Sequence, residues 1–161
     1  MNQKQLWRLF FIGGIVLLLD QVTKQIVFSQ LALNDTLPVF SGFFNLTHVQ
    51  NPGGAFGFLA NQHLWIRKFF FIFVSGVVVI FILVFYQRIP DTHPWLAAAM
   101  AMILGGAAGN LLDRIRLGKV IDFLDFHIGA LHWPAFNVAD SAITIGITIV
   151  AIHLFFDRLP E

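Results

Sequence analysis

Cysteine is absent from this chain of 161 residues, and charged side chains make up only 12% of it. The absence of cysteine excludes disulfide bonds, zinc–thiolate sites and a cysteine nucleophile. It also means that the chain cannot carry a lipid on a cysteine of its own. Soluble proteins contain about 25% charged residues, so this composition is not that of a soluble domain. The net charge of +1 gives no indication of a nucleic-acid partner.

Apolar side chains are abundant instead, at 57% of the residues. A soluble core of this size cannot bury so much apolar surface, whereas lipid can cover it. A membrane helix needs about 20 mostly apolar residues, and four segments qualify. We therefore expect an all-α membrane protein that forms one integral membrane domain, residues 1–161, with spans at about 7–28, 69–86, 95–112 and 136–156. A tryptophan lies at or shortly before the start of each span, as is typical of membrane interfaces.

The first span has a second interpretation, a cleaved signal peptide with Lys4 and Arg8 as its basic start. Asp20 and Lys24 follow its apolar run, where a cleavage site would have small residues. This pattern favours a retained membrane helix.

The connection between the first two spans has β-rich runs at Leu37–Phe40 and Phe43–Val49, followed by the turn signal Asn51-Pro52-Gly53-Gly54. We expect two or three strands within about residues 29–63, in a small sheet on the membrane surface. With four spans, this connection and the one after the third span lie on the same side. Basic residues are nearly equal on the two sides, so charge does not predict the orientation.

Ionisable side chains in or near membrane spans are costly and are therefore candidates for function. Asp20 and Lys24 are four residues apart, so they share a helix face and can pair. Asn110, Asp113 and Arg114 share a face at the end of the third span. The alternative for both groups is that they mark the membrane interface and reach water.

Asp122 and Asp140 are the candidates for catalysis, because each is a carboxylate in an apolar setting. Two such groups brought together can share one proton, which provides an acid and a base for activating water. Asp140 lies near a predicted helix start that favours its ionised form, so we expect Asp140 to be the base and Asp122 the protonated acid. In the alternative interpretation, Asp140 only stabilises that helix start and Asp122 is a loop carboxylate. Asp125 could replace Asp122, but it is more typical of a loop residue.

Other site chemistries find no support in the sequence. It contains no His-Glu-x-x-His, and its six histidines lack metal-ligand spacing, so we expect no metal and no cofactor. Gly105 and Gly109 form a Gly-x-x-x-Gly pattern in an apolar helix, which indicates close helix packing.

Several blocks together carry a resemblance that covers nearly the whole chain. In order along the chain, the blocks are Asp20-Gln21-Val22-Thr23-Lys24, Asn51-Pro52-Gly53-Gly54-Ala55-Phe56, Gly105-Gly106-Ala107-Ala108-Gly109-Asn110-Leu111-Leu112-Asp113-Arg114, Val120-Ile121-Asp122-Phe123 and Phe136-Asn137-Val138-Ala139-Asp140-Ser141. In these blocks the chain resembles the lipoprotein signal peptidases of bacteria. One departure is Pro52-Gly53-Gly54, where many members have a stretch similar to Thr-Gly-Ala.

The resemblance implies an aspartic endopeptidase that cuts signal peptides from prolipoproteins just before a diacylglyceryl-modified cysteine. It implies a multi-pass protein of the bacterial inner membrane, with both termini in the cytoplasm and the catalytic end facing the periplasm or outer surface. The partners implied are diacylglyceryl-modified prolipoproteins, membrane lipid and cyclic peptide antibiotics that block the family, and we expect a monomer.

The resemblance also implies residue roles. The catalytic aspartates correspond to Asp122 and Asp140. The positions that contact substrate or orient these aspartates correspond to Asn51, Asn110, Arg114 and Asn137, and the supporting positions to Asp20, Lys24 and Asp113.

Two other classes of protein remain as alternatives. A small proton-coupled transporter or channel would use the same charged groups as a relay, although the chain has no internal repeat and its polar groups cluster at span ends. A non-enzymatic assembly factor would use the glycine-rich helix face.

Overall fold

A computed structural model describes residues 1–53, 59 and 62–156. Four helical segments in it are long and apolar enough to cross a membrane, which confirms the predicted number: Gln3–Gln30, Leu64–Tyr86, Pro94–Leu117 and Val138–Phe156. Some residues used in the sequence analysis lie outside the described residues. They are Gly54, Ala55 and Phe56 of the second block, and Arg158, one of the basic residues counted when the two membrane sides were compared.

The first span is not a uniform α-helix. It consists of α1 (Gln3–Arg8), a π-helical turn (Leu9–Gly13) and α2 (Gly14–Gln30). Asn2 caps α1 through a reciprocal pair of hydrogen bonds with Gln5. A π-helical turn accommodates an extra residue, which rotates the side chains on either side of it relative to each other.

The third span, α4 (Pro94–Leu117), is the central helix of the bundle. About half of its apolar window is buried in protein, against 17% or less for the other three spans. Glycine makes this possible where α4 meets its neighbours: a Cβ on Gly105 would lie 2.5 Å from the carbonyl oxygen of Gly13, and one on Gly106 would lie 2.5 Å from that of Ala139. A Cβ on Gly109 would meet the side chain of Asp20 in α2, so the prediction that Gly105 and Gly109 mark close helix packing is confirmed.

The remaining spans are α3 (Leu64–Tyr86) and α5 (Val138–Phe156). Their outer faces carry exposed phenylalanine, isoleucine and valine, as lipid contact requires. Three spans extend beyond their predicted ranges: the first covers Gln3–Gln30, α3 begins at Leu64 and α4 continues to Leu117.

The sheet differs from the expectation. Its four antiparallel strands have the order β1 (Thr36–Phe40), β2 (Phe44–Asn51), β3 (Val120–Ile128) and β4 (Leu131–His132). Only β1 and β2 come from the connection between the first two spans, whereas β3 and β4 come from the connection between α4 and α5. The expectation of a β-rich segment in the first connection alone was therefore incomplete. The sequence did not predict β3 because its first four residues are all buried, so they lack the alternation of apolar and polar side chains that marks a strand with one exposed face.

A small apolar cluster attaches the sheet to the helix ends. Ile121 and Phe123 of β3 pack with Val27 of α2, and Val138 at the start of α5 packs against them. The cluster places β3 over the end of α2 and the start of α5, and Asp122 of β3 lies beside Asn137, the residue that precedes α5.

Candidate active site

Asp122 lies near the start of β3. In β3 it pairs with Val49 of β2, and its side chain is 3% exposed. Side chains alternate across a strand, so Asp122 points away from the apolar cluster formed by Ile121 and Phe123. The side-chain amide of Asn51 donates to Asp122 Oδ2 at 3.2 Å.

Asp140 lies in the first turn of α5, as the sequence predicted. The backbone N–H of Asp140 donates to the side chain of Asn137 at 2.9 Å, and the backbone N–H of Asn137 donates to Asp140 Oδ2 at 3.3 Å. This reciprocal pair is the geometry of a capping box and fixes the side chain of Asp140 at the helix start.

Asn137 connects the two aspartates. It has no accessible surface, and its Nδ2 donates to Asp122 Oδ1 at 2.7 Å. Asn110 of α4 donates to Asp140 Oδ1 at 2.8 Å. Each of the four carboxyl oxygens thus accepts an N–H from one of three asparagines, and both carboxyls are held on the wall of one cavity.

The environment of Asp122 changes its acidity. Burial, and to a lesser extent the nearby charge of Asp140, raise the pKa of Asp122 to about 7. The hydrogen bonds from Asn51 and Asn137 oppose this shift but do not cancel it. A carboxyl with such a pKa can hold a proton near neutral pH, which an ordinary aspartate cannot.

Lys24 contacts Asn110, the residue that binds Asp140, and its side chain is 2% exposed. Its ammonium contacts Asp20 Oδ2 at 2.9 Å, Asp113 Oδ2 at 2.9 Å and Asn110 Oδ1 at 2.8 Å. These three acceptors match the three N–H donors of a lysine. The interpretation that Asp20 and Lys24 pair is confirmed, and the alternative that they reach water is wrong.

The two carboxylates of this network hold the backbone beside the two aspartates. Asp20 Oδ1 accepts from the N–H of Ala139 at 3.0 Å, and Asp113 Oδ2 accepts from the N–H of Ile121 at 3.3 Å. Ala139 directly precedes Asp140, and Ile121 directly precedes Asp122. Asp20, Lys24 and Asp113 are thus placed to set the separation of the two aspartates.

Gln21 also belongs to this network, and sequence reasoning missed it. Its amide donates to Asp20 Oδ2 and Asp113 Oδ1, both at 3.1 Å. The available signal was its position between Asp20 and Lys24, as a third polar side chain near the end of an apolar span.

Arg114 has a different environment from its helix neighbours Asn110 and Asp113. Its guanidinium lies 5.0 Å from the centroid of the Phe71 ring of α3, and Nη1 donates to the carbonyl of Asn110 at 3.4 Å. It lines the same cavity as the two aspartates. The three residues share a helix face, as predicted, but only Asn110 and Asp113 contact Lys24.

The cavity has a volume of 510 Å³ and lies between β3, α4 and the first two turns of α5. The polar side chains of its wall are those of Asn51, Asn110, Arg114, Asp122, Asp140, Ser141 and Thr144. The rest of the wall is formed by Gly53, Val120, Trp133, Pro134, Ala135, Phe136 and Ile145. Ile145 and Trp133 are exposed, so the cavity opens to the surface of the molecule beside α5.

Asp125 is not a loop residue, contrary to the expectation. It lies in β3, is buried, and accepts hydrogen bonds from Asn45 and His132 at 2.8 Å each. Although burial acts to raise its pKa, these two hydrogen bonds and the charges of His132 and His127 together outweigh burial, so the pKa of Asp125 lies below its ordinary value. Asp125 is absent from the cavity wall described above, so Asp122 remains the partner of Asp140.

Comparison with known proteins gives a consistent result. The family model of signal peptidase II matches residues 12–156. The lipoprotein signal peptidase of Desulforapulum autotrophicum is 53% identical over 161 residues, which is 100% of this chain and 99% of that protein. The lipoprotein signal peptidase of Syntrophus aciditrophicus is 48% identical over 88% of each chain.

Solved structures agree. Two structures of bacterial membrane enzymes superimpose with TM-scores of 0.83 and 0.82, at 32% and 31% sequence identity. Both cover 92% of this chain, and the matches cover 88% and 93% of the other chains. The four spans and these neighbours establish a multi-pass membrane protein, and the matches in sequence show that the chain belongs to the signal peptidase II family of peptidases.

Proposed function

We propose that this protein is an aspartic endopeptidase that cleaves the signal peptides of prolipoproteins at the membrane, just before a diacylglyceryl-modified cysteine. The observation that carries this proposal is the pair Asp122 and Asp140, which are linked through Asn137 and line one cavity. The relatives named above are lipoprotein signal peptidases, which supports the substrate class.

The two aspartates differ in environment, and this supports separate roles. Asp140 lies at the start of α5, where the free N–H groups of the helix favour a negative charge. Asp122, whose pKa is raised to about 7, favours the protonated form. Asp140 is then the base and Asp122 the acid. Asn51 donates to Asp122 Oδ2 at 3.2 Å, whereas Asn137 donates to Asp122 Oδ1 at 2.7 Å. The longer hydrogen bond makes Oδ2 the more suitable oxygen to carry the proton.

The proposed reaction conserves its protons. The Asp140 carboxylate accepts a proton from a water molecule, whose oxygen forms a bond to the carbonyl carbon of the scissile peptide. Asp122 donates its proton to the carbonyl oxygen, which stabilises the developing charge. When the C–N bond breaks, the proton on Asp140 passes to the leaving nitrogen, and one hydroxyl of the tetrahedral intermediate returns a proton to Asp122 as the carbonyl forms again. The products are a carboxylic acid and an amine, and one water is consumed.

The opening of the cavity beside α5, one of the spans, supports entry of a lipid-anchored substrate from the bilayer. Asn51, Asn110, Arg114 and Asn137 are then the residues that contact substrate or orient the aspartates. Membrane lipid surrounds a single-domain monomer, and cyclic peptide antibiotics of the kind that inhibit this family would occupy the same cavity. The site lies at the sheet end of the helices, which we assign to the periplasmic or outer face of the inner membrane, with both termini in the cytoplasm.

The proposal is tested with purified protein and a lipid-modified prolipoprotein, with the cleaved signal peptide as the readout. Asp122→Asn and Asp140→Asn should each lower the rate by at least about a thousandfold, because each removes one of the two proton-transfer steps. Asp125→Asn is the matched control, since Asp125 is a buried aspartate of the same strand outside the cavity wall, and it should retain cleavage. Near-normal turnover by either Asp122→Asn or Asp140→Asn would contradict the assignment of these two residues to catalysis.

A further inference from the structure

The guanidinium of Arg114 lies against an aromatic ring, and this contact is separate from the network of Asp20, Lys24 and Asp113 described above. Phe71 lies two turns into α3, a helix that contributes none of the cavity-lining residues named above. The ring of Phe70 packs edge-on against Phe71, at a centroid distance of 5.4 Å. This second aromatic contact limits the orientations that the Phe71 ring can adopt.

The contacts of Arg114 leave most of its donors available. A guanidinium has five N–H groups. The hydrogen bond to the Asn110 carbonyl uses one of them, at the long distance of 3.4 Å. Within residues 1–53, 59 and 62–156, no carboxylate lies within ion-pair distance of Arg114, although Asp122 and Asp140 line the same cavity.

A flexible arginine beside two carboxylates would normally form an ion pair with one of them. Such a pair would use the N–H groups of Arg114 that could otherwise bind substrate. A cation held over a ring, in contrast, keeps its N–H groups at the edge free for a third partner. The ring of Phe71 therefore offers the cation a position other than an ion pair with one of the aspartates.

We propose that Phe71 is a positioning residue for substrate: it holds the Arg114 guanidinium away from Asp122 and Asp140 and directs its free N–H groups toward carbonyl oxygens of the substrate beside the scissile bond. The partner class is a carbonyl of the peptide or of the glyceryl ester, both of which offer the same acceptor. This inference rests on the proposed function, since it assigns a substrate contact within that site.

The test measures KM and kcat for a lipid-modified prolipoprotein with Phe71→Leu, which removes the ring and keeps an apolar side chain. We expect KM to rise by about five- to thirtyfold, the range of a partly buried cation–π contact, with a smaller change in kcat. Phe71→Tyr retains the ring and should restore KM to within about twofold of the parent. Phe81→Leu is the matched control, because Phe81 is an exposed phenylalanine of the same helix.

A double-mutant cycle separates positioning from a structural role. On an Arg114→Ala background, Phe71→Leu should have no further effect on KM, since its action passes through Arg114. An equal effect of Phe71→Leu with and without Arg114 would overturn the inference, and so would an unchanged KM in the single variant. If Phe71→Leu does not accumulate, Phe71→Met replaces it, because methionine adapts to irregular space.

Failure of this inference is distinguishable from failure of the proposed function. Inactive Asp122→Asn and Asp140→Asn together with a normal Phe71→Leu would overturn only the role of Phe71. Active aspartate variants would overturn the proposed function, whatever the result at Phe71.

Discussion

Asn137 is the residue on which the arrangement of the two aspartates depends most directly. Its Nδ2 binds Asp122, its Oδ1 accepts from the backbone of Asp140, and it is fully buried. A side chain with a carbonyl and an amide group can bind an acceptor and a donor at once, which neither aspartate nor leucine can do. The position therefore requires asparagine for its hydrogen-bond pattern and not only for its size.

The first prediction concerns pH and follows from the pKa of Asp122, raised to about 7 against an ordinary value of 3.8. Below pH 7 Asp122 holds its proton, so the proposed acid is present there and is lost as pH rises through this value. We expect cleavage to fall on the alkaline side. The contribution of protonated Asp122 to the free energy of unfolding should be complete below about pH 4 and lost as pH rises through about 7.

Thermal unfolding in detergent across pH 4–8 measures the stability part of this prediction. Asp122→Asn carries a neutral amide at every pH, so its midpoint should change less with pH than that of the parent. Equal pH dependence in the two proteins would contradict the assignment of the raised pKa to Asp122. Cleavage rates over the same range measure the catalytic part, although coupling with Asp140 means that the observed pKa belongs to the pair.

The second prediction concerns Lys24. Replacing it in Lys24→Met leaves the carboxylates of Asp20 and Asp113 buried without a cation, which typically costs about 3–5 kcal/mol. We expect a strong loss of folded protein, read as yield and as thermal midpoint. The exposed Lys4 provides the control variant Lys4→Met, which should behave as the parent. Adding Asp20→Asn to Lys24→Met removes one unpaired charge and should recover part of the stability; no recovery would argue against charge compensation.

At the scale of single elements, α4 carries the closest contacts of the bundle, and small residues determine its distance from its neighbours. Ala97, Ala99 and Ala101 are buried with almost no accessible surface, and Gly105 meets Gly13 of the π-helical turn. In lipid, helices associate by close packing of such residues, since no hydrophobic force drives them together. The alignment of α2 with α4 brings Asp20 and Lys24 opposite Asn110 and Asp113.

The third prediction tests this packing with two glycines. In Gly105→Ala the added Cβ would lie 2.5 Å from the Gly13 carbonyl oxygen, so the helices must move apart. Overpacking of this kind costs about 1–3 kcal/mol. A Cβ on Gly76 of α3 meets nothing within 4 Å, so Gly76→Ala should be neutral or stabilising by about 1 kcal/mol through helix propensity. Equal midpoints for the two variants in thermal unfolding would contradict the close approach.

The elements also show what the sequence can and cannot predict. The four helices were predictable because each is a long apolar run, a signal that needs no knowledge of the rest of the fold. The Asp20–Lys24 pair was predictable because the two residues are four apart in one helix. β3 was not, because a short apolar run gives no strand pattern and its partner β2 lies about 70 residues away in the sequence. The contact of Lys24 with Asp113 and that of Arg114 with Phe71 depend on how helices pack, which no local pattern encodes.

At the scale of the whole molecule, the helices have two unlike ends. One end carries the sheet, the two aspartates and the exposed residues of the β3–β4 hairpin, where Leu131 is 80% exposed. The other end carries the start of α1, the end of α5 and the short connection between α3 and α4. Basic residues do not distinguish these ends, so the orientation in the membrane has to be measured.

The fourth prediction does so with the cysteine-free sequence, in which any introduced cysteine is unique. Leu131→Cys at the sheet end and Gln87→Cys at the other end are both at exposed positions. In intact cells stripped of their outer membrane, a membrane-impermeant maleimide should label Leu131→Cys and reach Gln87→Cys only after permeabilisation. The reverse labelling pattern would contradict the proposed orientation of the site toward the outer face.

The division of the sheet between two distant connections has a consequence for biosynthesis. When β2 leaves the ribosome, its partner β3 has not yet been made, and synthesis to Ile128 takes about 4 to 15 s at roughly 5–20 residues per second. During this interval one edge of β2 lacks a partner, and Lys24 is already in the membrane before Asp113 exists. The nascent chain is therefore most exposed to mispairing and quality-control proteases in this interval, and a pause in translation between α3 and β3 would lengthen it.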